Sequence, residues 1–347
     1  MNILVFGPDY SSYNAASYQY EFMNTLKEEA NNYYHYSGAK EIDLSLILKK
    51  LKFYPDFIFY NHGWLLDNPN INRITHSIIK NKSFAKDIKH IIFLNKEYTR
   101  LPEKLAEIKS FKFDKVFTHL HYFKSLNSSS VESKFLPLAC SFRNISKFNK
   151  RKLANRKYDL FFSGILQNWN FKDLQSDLRK QIQSELFYCI FDFPLIKKIQ
   201  YRDLIIYWKP FYKNRIKNIL SNFFHGKRLS QKDYFEKLAN SKCVLHTSSP
   251  MGIISTRVFE ALGSGSIGLF SSDSEANFIF KEKFHFLSFE SIKELVDTVY
   301  SVKYSTKENF FQNISDAARK LVESEHTWKN RVSDFKEEIY VKNDKRK

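Results

Sequence analysis

The sequence predicts an α/β fold made of two Rossmann-like, doubly wound domains that face a cleft. Short buried apolar runs alternate almost strictly with amphipathic stretches, which is the pattern of a parallel sheet covered by helices on both faces. One polar, basic stretch without apolar periodicity, Phe148–Lys157, interrupts this alternation, which then starts again. A chain of 347 residues of which 43% are hydrophobic is long enough to bury two such cores. We therefore expect two successive domains.

The first domain is predicted to span residues 1–150 and to begin with a strand, a glycine turn and a helix. Several of its apolar runs end in polar residues, at the edge where parallel sheets bind ligands. The predicted strands are Met1–Phe6, Asp56–Tyr60, His90–Leu94, Lys115–Thr118 and Phe135–Leu138. The predicted helices are Tyr18–Glu29, Asp43–Leu51, Ile71–Lys80 and Leu101–Ile108.

The second domain is predicted to span residues 151–325 and to repeat the pattern. Its predicted strands are Tyr158–Phe162, Leu204–Tyr207, Lys242–Leu245, Ile267–Phe270 and Phe284–Phe289. Its predicted helices are Phe171–Leu186, Gln231–Leu238, one beginning near Ser255, Ser291–Tyr300 and Lys307–Glu323. Residues 326–347 should form a closing helix that packs back toward the first domain, followed by a frayed basic tail.

The composition narrows the cellular setting of the protein. No apolar run is long enough to span a membrane, the chain enters a strand directly, and three scattered cysteines form no paired framework. We therefore expect a cytoplasmic protein, with association at the inner membrane face as an option. The net charge of +18 attracts polyanions or reflects solvated lysines, and both readings stay open. The basic, aromatic segment Trp208–Arg228 is either a lipid-facing surface or an ordinary packed segment.

The stretch Cys243–Ser271 predicts a strand, a Ser/Pro/Gly loop, a short helix and a second strand. In such a unit the loop and the amino end of the helix face one crevice, where unpaired backbone N–H groups favour an anion. Gly263, Gly265 and Gly268 match the G-x-G-x-x-G fingerprint of dinucleotide sites. Because a helix precedes these glycines and a strand follows them, the opposite of the required order, we reject NAD binding.

Arg257 and Glu260 lie three residues apart on the predicted short helix, opposite an apolar side. One reading is an ordinary surface ion pair. The other is part of a phosphate and sugar pocket, because the preceding loop is rich in serine, threonine and glycine. The polar position Ser264 continues the same face.

The segment Arg257–Gly265, which reads R-x-F-E-A-L-G-x-G, resembles the donor-site segment of group 1 type nucleotide-sugar glycosyltransferases with the GT-B fold. Tyr158–Gly164 and the run Glu325–Trp328 with Arg331 are similar to that family too, so the resemblance covers roughly Lys157–Phe335. The resemblance implies a transferase that moves a sugar from a nucleotide-sugar donor to a glycan or lipid-linked glycan acceptor. The implied partners are that donor and that acceptor, without nucleic acid and without a cofactor, and the basic, aromatic segment Trp208–Arg228 leaves an anionic membrane surface open as a further partner.

By the same resemblance Glu260 holds the nucleotide ribose and Arg257 faces the donor phosphates. Where the family has a second glutamate that contacts the sugar, this chain has Gly252. Either backbone groups of the loop hold the sugar, or the retaining mechanism of the family does not apply. The predicted donor-binding residues are Gly164, Gly252, Ile253, Ile254, Ser255, Thr256, Arg257 and Glu260.

The catalytic base or positioning residue is predicted to come from the first domain. Asp9 and His62 lie just beyond the ends of predicted strands, and Glu97 is a third candidate. The chain has no D-x-D triplet, so cationic side chains and helix ends rather than a metal ion should neutralise the donor diphosphate. His119 and His121 lack a further ligand and predict no metal site. Two alternatives remain: an epimerase on the same fold, or a basic nucleic-acid-binding protein.

Overall fold

The computed structural model describes residues 1–7, 18–37, 44–60, 87–94, 97, 100–111, 113–126, 131–146, 151–164, 177–182, 204–208, 229–305 and 308–340. These residues form two compact units. The first contains the described residues up to Pro137 together with Lys329–Tyr340, and the second contains those of Leu138–Trp328.

The first unit is built on a six-stranded sheet in which all strands run parallel. Its strands are β1 (Asn2–Phe6), β2 (Asn32–Tyr36), β3 (Phe57–Tyr60), β4 (Lys89–Phe93), β5 (Lys115–Thr118) and β6 (Ser133–Phe135), in the spatial order β2-β1-β3-β4-β5-β6. Its helices are α1 (Tyr18–Glu28), α2 (Leu44–Lys50), α3 (Leu101–Phe111) and α4 (Phe123–Leu126). The predicted parallel, doubly wound architecture is thus confirmed for this unit.

Burial of both sheet faces explains why the central strands read as continuous apolar runs. All four residues of β3 and the last four of β1 are at most 1% exposed. The final helix of the chain, α10 (Trp328–Tyr340), supplies part of this core, because the Phe335 ring lies 4.9–5.6 Å from the rings of Phe57, Phe59 and Phe117. Apart from Trp328, this helix belongs to the first unit although it follows the second unit in sequence.

The second unit is built on a five-stranded parallel sheet. Its strands are β7 (Tyr158–Gly164), β8 (Leu204–Trp208), β9 (Ser241–His246), β10 (Ile267–Ser271) and β11 (Phe286–Phe289), in the order β11-β10-β9-β7-β8. Its helices are α5 (Phe142–Ser146), α6 (Gln231–Ala239), α7 (Thr256–Gly263), α8 (Ile292–Tyr304) and α9 (Glu308–Glu325), with a further helical segment at 177–182.

One buried cation joins several elements of the second unit. The Arg156 side chain, 5% exposed, donates to the backbone oxygens of Ser241 and Ser264, each at 2.9 Å, and to Ser266 Oγ at 3.0 Å. Gly265 has a φ of +73°, and a Cβ there would lie 2.9 Å from Arg156 Nη2. The turn between α7 and β10 is therefore shaped around this guanidinium.

The structure departs from the predicted elements in several places, and it adds the short helices α4 and α5. It adds β2, whose sequence NYYHY carries no buried apolar run, and it places β6 at Ser133–Phe135 instead of Phe135–Leu138. The first unit ends at Pro137, and Leu153, in the stretch predicted as a linker, packs in the core of the second unit. The predicted helix Ile71–Lys80 lies outside the described residues, as do 171–176 and 183–186 of the predicted helix Phe171–Leu186.

Candidate functional site

The candidate site lies in the second unit, at the carboxyl ends of β7 and β9 and the amino end of α7. β7 pairs with β8 on one side and with β9 on the other, so the direction of the connections reverses between β7 and β9. Parallel sheets bind ligands at this point of reversal. Gly164, predicted to approach the nucleotide, is the last residue of β7.

The amino end of α7 is not capped by a side chain. Ser255 has the extended backbone of an N-cap residue, with ψ of 158°, but its side chain makes no capping hydrogen bond. Its Oγ is buried and has no partner among the described residues. Because the first N–H groups of a helix need acceptors, this end of α7 together with the Ser255 hydroxyl suits an anion.

Arg257 lies in the first turn of α7, and none of the described acidic residues forms an ion pair with it. Its guanidinium carbon lies 5.7 Å from the centre of the Phe162 ring on β7. Glu260 instead accepts a hydrogen bond of 2.7 Å from Tyr234 Oη. Within the described part of the chain no ion pair joins Arg257 to Glu260. The first interpretation of this helix face, an ordinary surface ion pair, is therefore wrong. Among the residues that the structure describes, the site therefore retains a cation that is not paired with a carboxylate.

Tyr234 on α6 is a site residue that the sequence reasoning missed. It is 7% exposed. Burial, the Glu260 carboxylate and their shared hydrogen bond raise the pKa of the Tyr234 hydroxyl well above its ordinary value, while Arg257 opposes the shift. The hydroxyl therefore stays protonated and fixes one Glu260 oxygen. The contact joins residues 26 positions apart, and no local spacing in the sequence signals it.

His246, the last residue of β9, is a second residue that the sequence reasoning missed. The ring is 2% exposed and lies edge-on to Phe270 at 5.6 Å. Burial lowers its pKa well below the ordinary value, and Arg257 and Arg179 lower it further. Nδ1 is buried and has no partner among the described residues. The site thus contains a neutral imidazole beside two guanidinium groups.

The loop that follows β9 is held by hydrogen bonds from neighbouring elements. Ser248 N donates to Ser271 Oγ at 3.0 Å, and Ser248 Oγ donates to Asp273 Oδ2 at 3.1 Å. Arg179 Nη1 donates to the Ser248 carbonyl oxygen. These contacts fix the loop between β9 and α7 before any ligand binds.

The part of this loop just before α7 has an unusual backbone. Met251 and Gly252 have φ of 57° and 66°. A Cβ on Gly252 would lie 2.4 Å from Glu275 Cγ, so the Glu275 side chain occupies the space beside the glycine. The N–H groups of Gly252 and Ile253 donate to Ser249 O and Pro250 O, and the Ile253 and Ile254 side chains are buried. Two of the backbone donors predicted to hold the sugar are therefore already used within the loop.

Gly252→Ala is expected to destabilise the second unit by about 1–3 kcal/mol, because alanine resists a left-handed backbone and its Cβ overlaps Glu275. Urea unfolding measures the loss. Combining Gly252→Ala with Glu275→Ala should recover the stability lost through the overlap of the two side chains. The loss that comes from the left-handed backbone should remain. A single variant as stable as the parent would contradict this account of the loop.

In the first unit, Asp9 and His62 lie outside the described residues, and Glu97 lies in a buried polar cluster. Glu97 Oε1 accepts from Thr118 Oγ1 at 2.8 Å and from His119 N at 2.7 Å. His119 Nδ1 donates to Leu136 O at 3.0 Å. Glu97 Oε2 and His119 Nε2 are buried and have no partner among the described residues. Both acceptor atoms lie near the carboxyl ends of β4 and β5.

Acidification is expected to destabilise the first unit through His119. Burial lowers the His119 pKa below 6.5, although Glu97 and Leu136 O oppose the shift. The unfolded chain then takes up the proton first, so stability is full above about pH 6.5 and is lost as the pH falls toward the folded pKa, by at most about 1.4 kcal/mol per pH unit. Urea unfolding against pH checks this. His119→Asn, which can still donate to Leu136 O, should reduce the slope, whereas the half-buried His121→Asn should not.

Comparison with known proteins adds a family match and several fold matches. Residues 194–337 match the family described as "Glycosyl transferase-like". No curated protein sequence matches the chain. The structure is similar to Anabaena Alr3699/HepE in complex with UDP and glucose, with a TM-score of 0.60 and 10% identity over 98% of this chain and 100% of that one.

Two further structures match at similar levels. Sucrose-phosphate synthase from Thermosynechococcus elongatus has a TM-score of 0.62 and 10% identity over 100% of both chains. An alpha-glucosyltransferase in complex with UDP-glucose and abasic DNA has a TM-score of 0.62 and 8% identity over 98% of this chain and 99% of that one. Identities this low establish the fold alone.

In the part of the chain that the structure describes, no helix combines the length and the apolar character needed to cross a bilayer. The chain thus has the predicted GT-B fold, and its residues 194–337 are similar to the glycosyl transferase-like family.

Proposed function

We propose that this protein is a glycosyltransferase that moves a sugar from a nucleotide-sugar donor to a hydroxyl of a glycan or lipid-linked glycan. The main support is Arg257, a guanidinium that has no carboxylate partner among the described residues and that lies in the first turn of α7, where the Ser255 side chain makes no capping hydrogen bond. A diphosphate is the ligand that such a site fits, because it can accept from the helix N–H groups and from the arginine fork together.

In this proposal the donor diphosphate lies at the first turn of α7, where Ser255, Thr256 and Arg257 donate to it. The ribose hydroxyls bind Glu260, which Tyr234 holds in place. The sugar lies beside the loop Gly252–Ile254, and Gly164 leaves room for the nucleotide. His246 adds a neutral polar group to the site, so the ring contributes no further positive charge before the donor binds.

During transfer the bond between the sugar C1 and the phosphate oxygen breaks, and its electron pair stays on the departing diphosphate. Arg257 and the amino end of α7 stabilise this negative charge, which removes the need for a metal ion. The acceptor hydroxyl attacks C1 and gives its proton to a base of the first unit. Asp9 and His62 stay the proposed candidates, with Glu97 as the third.

UDP is the first nucleotide to test, because HepE and the alpha-glucosyltransferase were both solved with UDP or UDP-glucose. A melting-temperature screen should show stabilisation by UDP, GDP, CMP or dTDP and none by the free nucleosides. EDTA should not remove the effect. Stabilisation by no nucleotide would contradict the proposal.

Glu260→Gln is expected to weaken binding of the selected nucleotide roughly tenfold, because it replaces a charged acceptor of the ribose hydroxyls by a neutral amide. Exposed Glu337→Gln on α10 is the matched control and should bind as the parent does. Incubation with UDP-glucose alone should then release UDP slowly by hydrolysis. Formation of an epimerised UDP-sugar instead would identify an epimerase.

A further inference from the structure

The segment Leu44–Tyr54 of the first unit, hereafter the basic strip, carries three lysines and no acidic residue. It consists of α2 and the residues that lead into β3. Lys49, Lys50 and Lys52 are all exposed, and no ion pair neutralises any of them within the residues that the structure describes. The strip therefore presents a net charge of three positive groups to solvent.

The same strip exposes two large apolar side chains. Leu46 is 51% exposed and Tyr54 is 56% exposed. Leu44 and Ile47, by contrast, are 1% and 3% exposed and anchor α2 on the core. About half of the Leu46 and Tyr54 side chains is therefore open to solvent, next to the exposed lysines. They form a firmly supported surface that is both apolar and basic.

The acidic residue that follows the strip in sequence, Asp56, is hydrogen-bonded by two other groups of the first unit. Tyr340 Oη donates to Asp56 Oδ2 at 2.8 Å, and Asn2 N donates to the same oxygen at 2.8 Å. Asp56, the first carboxylate after Tyr54, is thus already engaged.

We propose that the basic strip docks on the surface of a bilayer that contains anionic phospholipid. The lysines contact the phosphate groups, and Leu46 and Tyr54 enter the boundary between headgroups and acyl chains, as mixed basic and apolar surfaces do. The proposal deepens the proposed function, because a lipid-linked acceptor would lie at the same surface, although docking itself does not depend on donor binding. Nucleic acid would use the lysines but leave Leu46 and Tyr54 without a role.

Co-sedimentation with phosphatidylcholine vesicles, with and without phosphatidylglycerol, tests the charge. The parent should bind the anionic vesicles only, and less at high salt. Changing Lys49, Lys50 and Lys52 to Gln should lower binding roughly 100-fold, since each lysine near an anionic surface contributes about a fivefold factor. The matched control changes three exposed lysines on other helices, Lys293, Lys320 and Lys329, to Gln and should retain most of the binding.

A second pair of variants tests the apolar contribution. Leu46→Ser with Tyr54→Ser should weaken vesicle binding at least about tenfold. The control, Tyr304→Ser with Phe310→Ser, removes two side chains of 66% and 48% exposure from the second unit and should bind as the parent does. If Leu46→Ser with Tyr54→Ser still binds short duplex DNA as the parent does, then the vesicle binding that it loses is specific to lipid.

Three outcomes would overturn the docking proposal: no binding of the parent to anionic vesicles, equal losses in the strip and control variants, or full binding without Leu46 and Tyr54. The melting temperature of each variant with the nucleotide found in the screen is measured separately, because it reports donor binding and not vesicle binding. A strip variant that fails on vesicles but keeps this stabilisation separates membrane docking from donor binding, and each proposal is then decided on its own result.

Discussion

Arg257→Gln is expected to weaken UDP binding roughly 10- to 100-fold while leaving the melting temperature of the free protein unchanged. A hydrogen bond to a charged group contributes about 1.5–3 kcal/mol, and within the described part of the chain this guanidinium has no ion-pair partner that the substitution would leave uncompensated. Its removal therefore affects the ligand rather than the folded state. Calorimetric titration with UDP measures the change.

The control for Arg257→Gln is Arg143→Gln, an exposed arginine on α5. Arg257→Lys should recover part of the affinity, because a lysine restores the charge but not the two-pronged hydrogen bonding. Uridine, which lacks the phosphates, should bind parent and variant equally weakly. UDP affinity that is the same in Arg257→Gln and the parent would place the diphosphate elsewhere.

Arg156→Met is expected to destabilise the second unit by about 3–5 kcal/mol, the largest stability effect that we predict. Methionine fills similar volume but removes the Arg156 donor of the buried Ser264 oxygen, at about 1–3 kcal/mol, and a donor of the Ser241 oxygen, which still accepts from Ser266 Oγ. Burial and nearby Arg319 together lower the pKa of Arg156 to about 10, so the side chain remains charged at neutral pH. Urea unfolding at neutral pH measures the loss.

Arg151→Met is the natural comparison, because Arg151 lies near Arg156 but is exposed and donates only to the side chain of Asn240. Its replacement should cost less than about 1 kcal/mol, as surface contacts generally do. Equal effects of the two substitutions would mean that Arg156 does not organise the turn between α7 and β10.

The sequence predicted best those strands that are buried on both faces of a sheet. β3 and β10 are buried on both faces, so their residues form apolar runs that predict strands directly. β2 was not predicted because its five residues are half-buried or exposed and so form no apolar run. Among the described strands it pairs with β1 alone. An edge strand of this kind depends on its partner and not on its own composition.

Within the candidate site, local spacing placed Arg257 and Glu260 on one side of α7, and the structure has that helix. The partners of these residues could not be found in the same way. Tyr234 meets Glu260 across the packing of α6 on α7, and His246 derives its neutral state from burial beside two arginines. Such properties arise only when distant segments fold together.

The loop before α7 is a second case in which the sequence alone does not reveal a physical cause. The sequence identifies Gly252 as a departure from the resembling family, but not the reason for a glycine at that position. The structure supplies two physical reasons: a φ of +66° and a Glu275 side chain that fills the adjacent space. Glu275 is 23 positions away in the chain, so no motif links the two residues.

The most direct test of the central claim is a crystal structure of the protein soaked with UDP. The account predicts the diphosphate at the first turn of α7, with Arg257 and the N–H groups of that turn as donors and the ribose hydroxyls on Glu260. Density for UDP at any other place in the second unit, with Arg257 and Glu260 untouched, would contradict it.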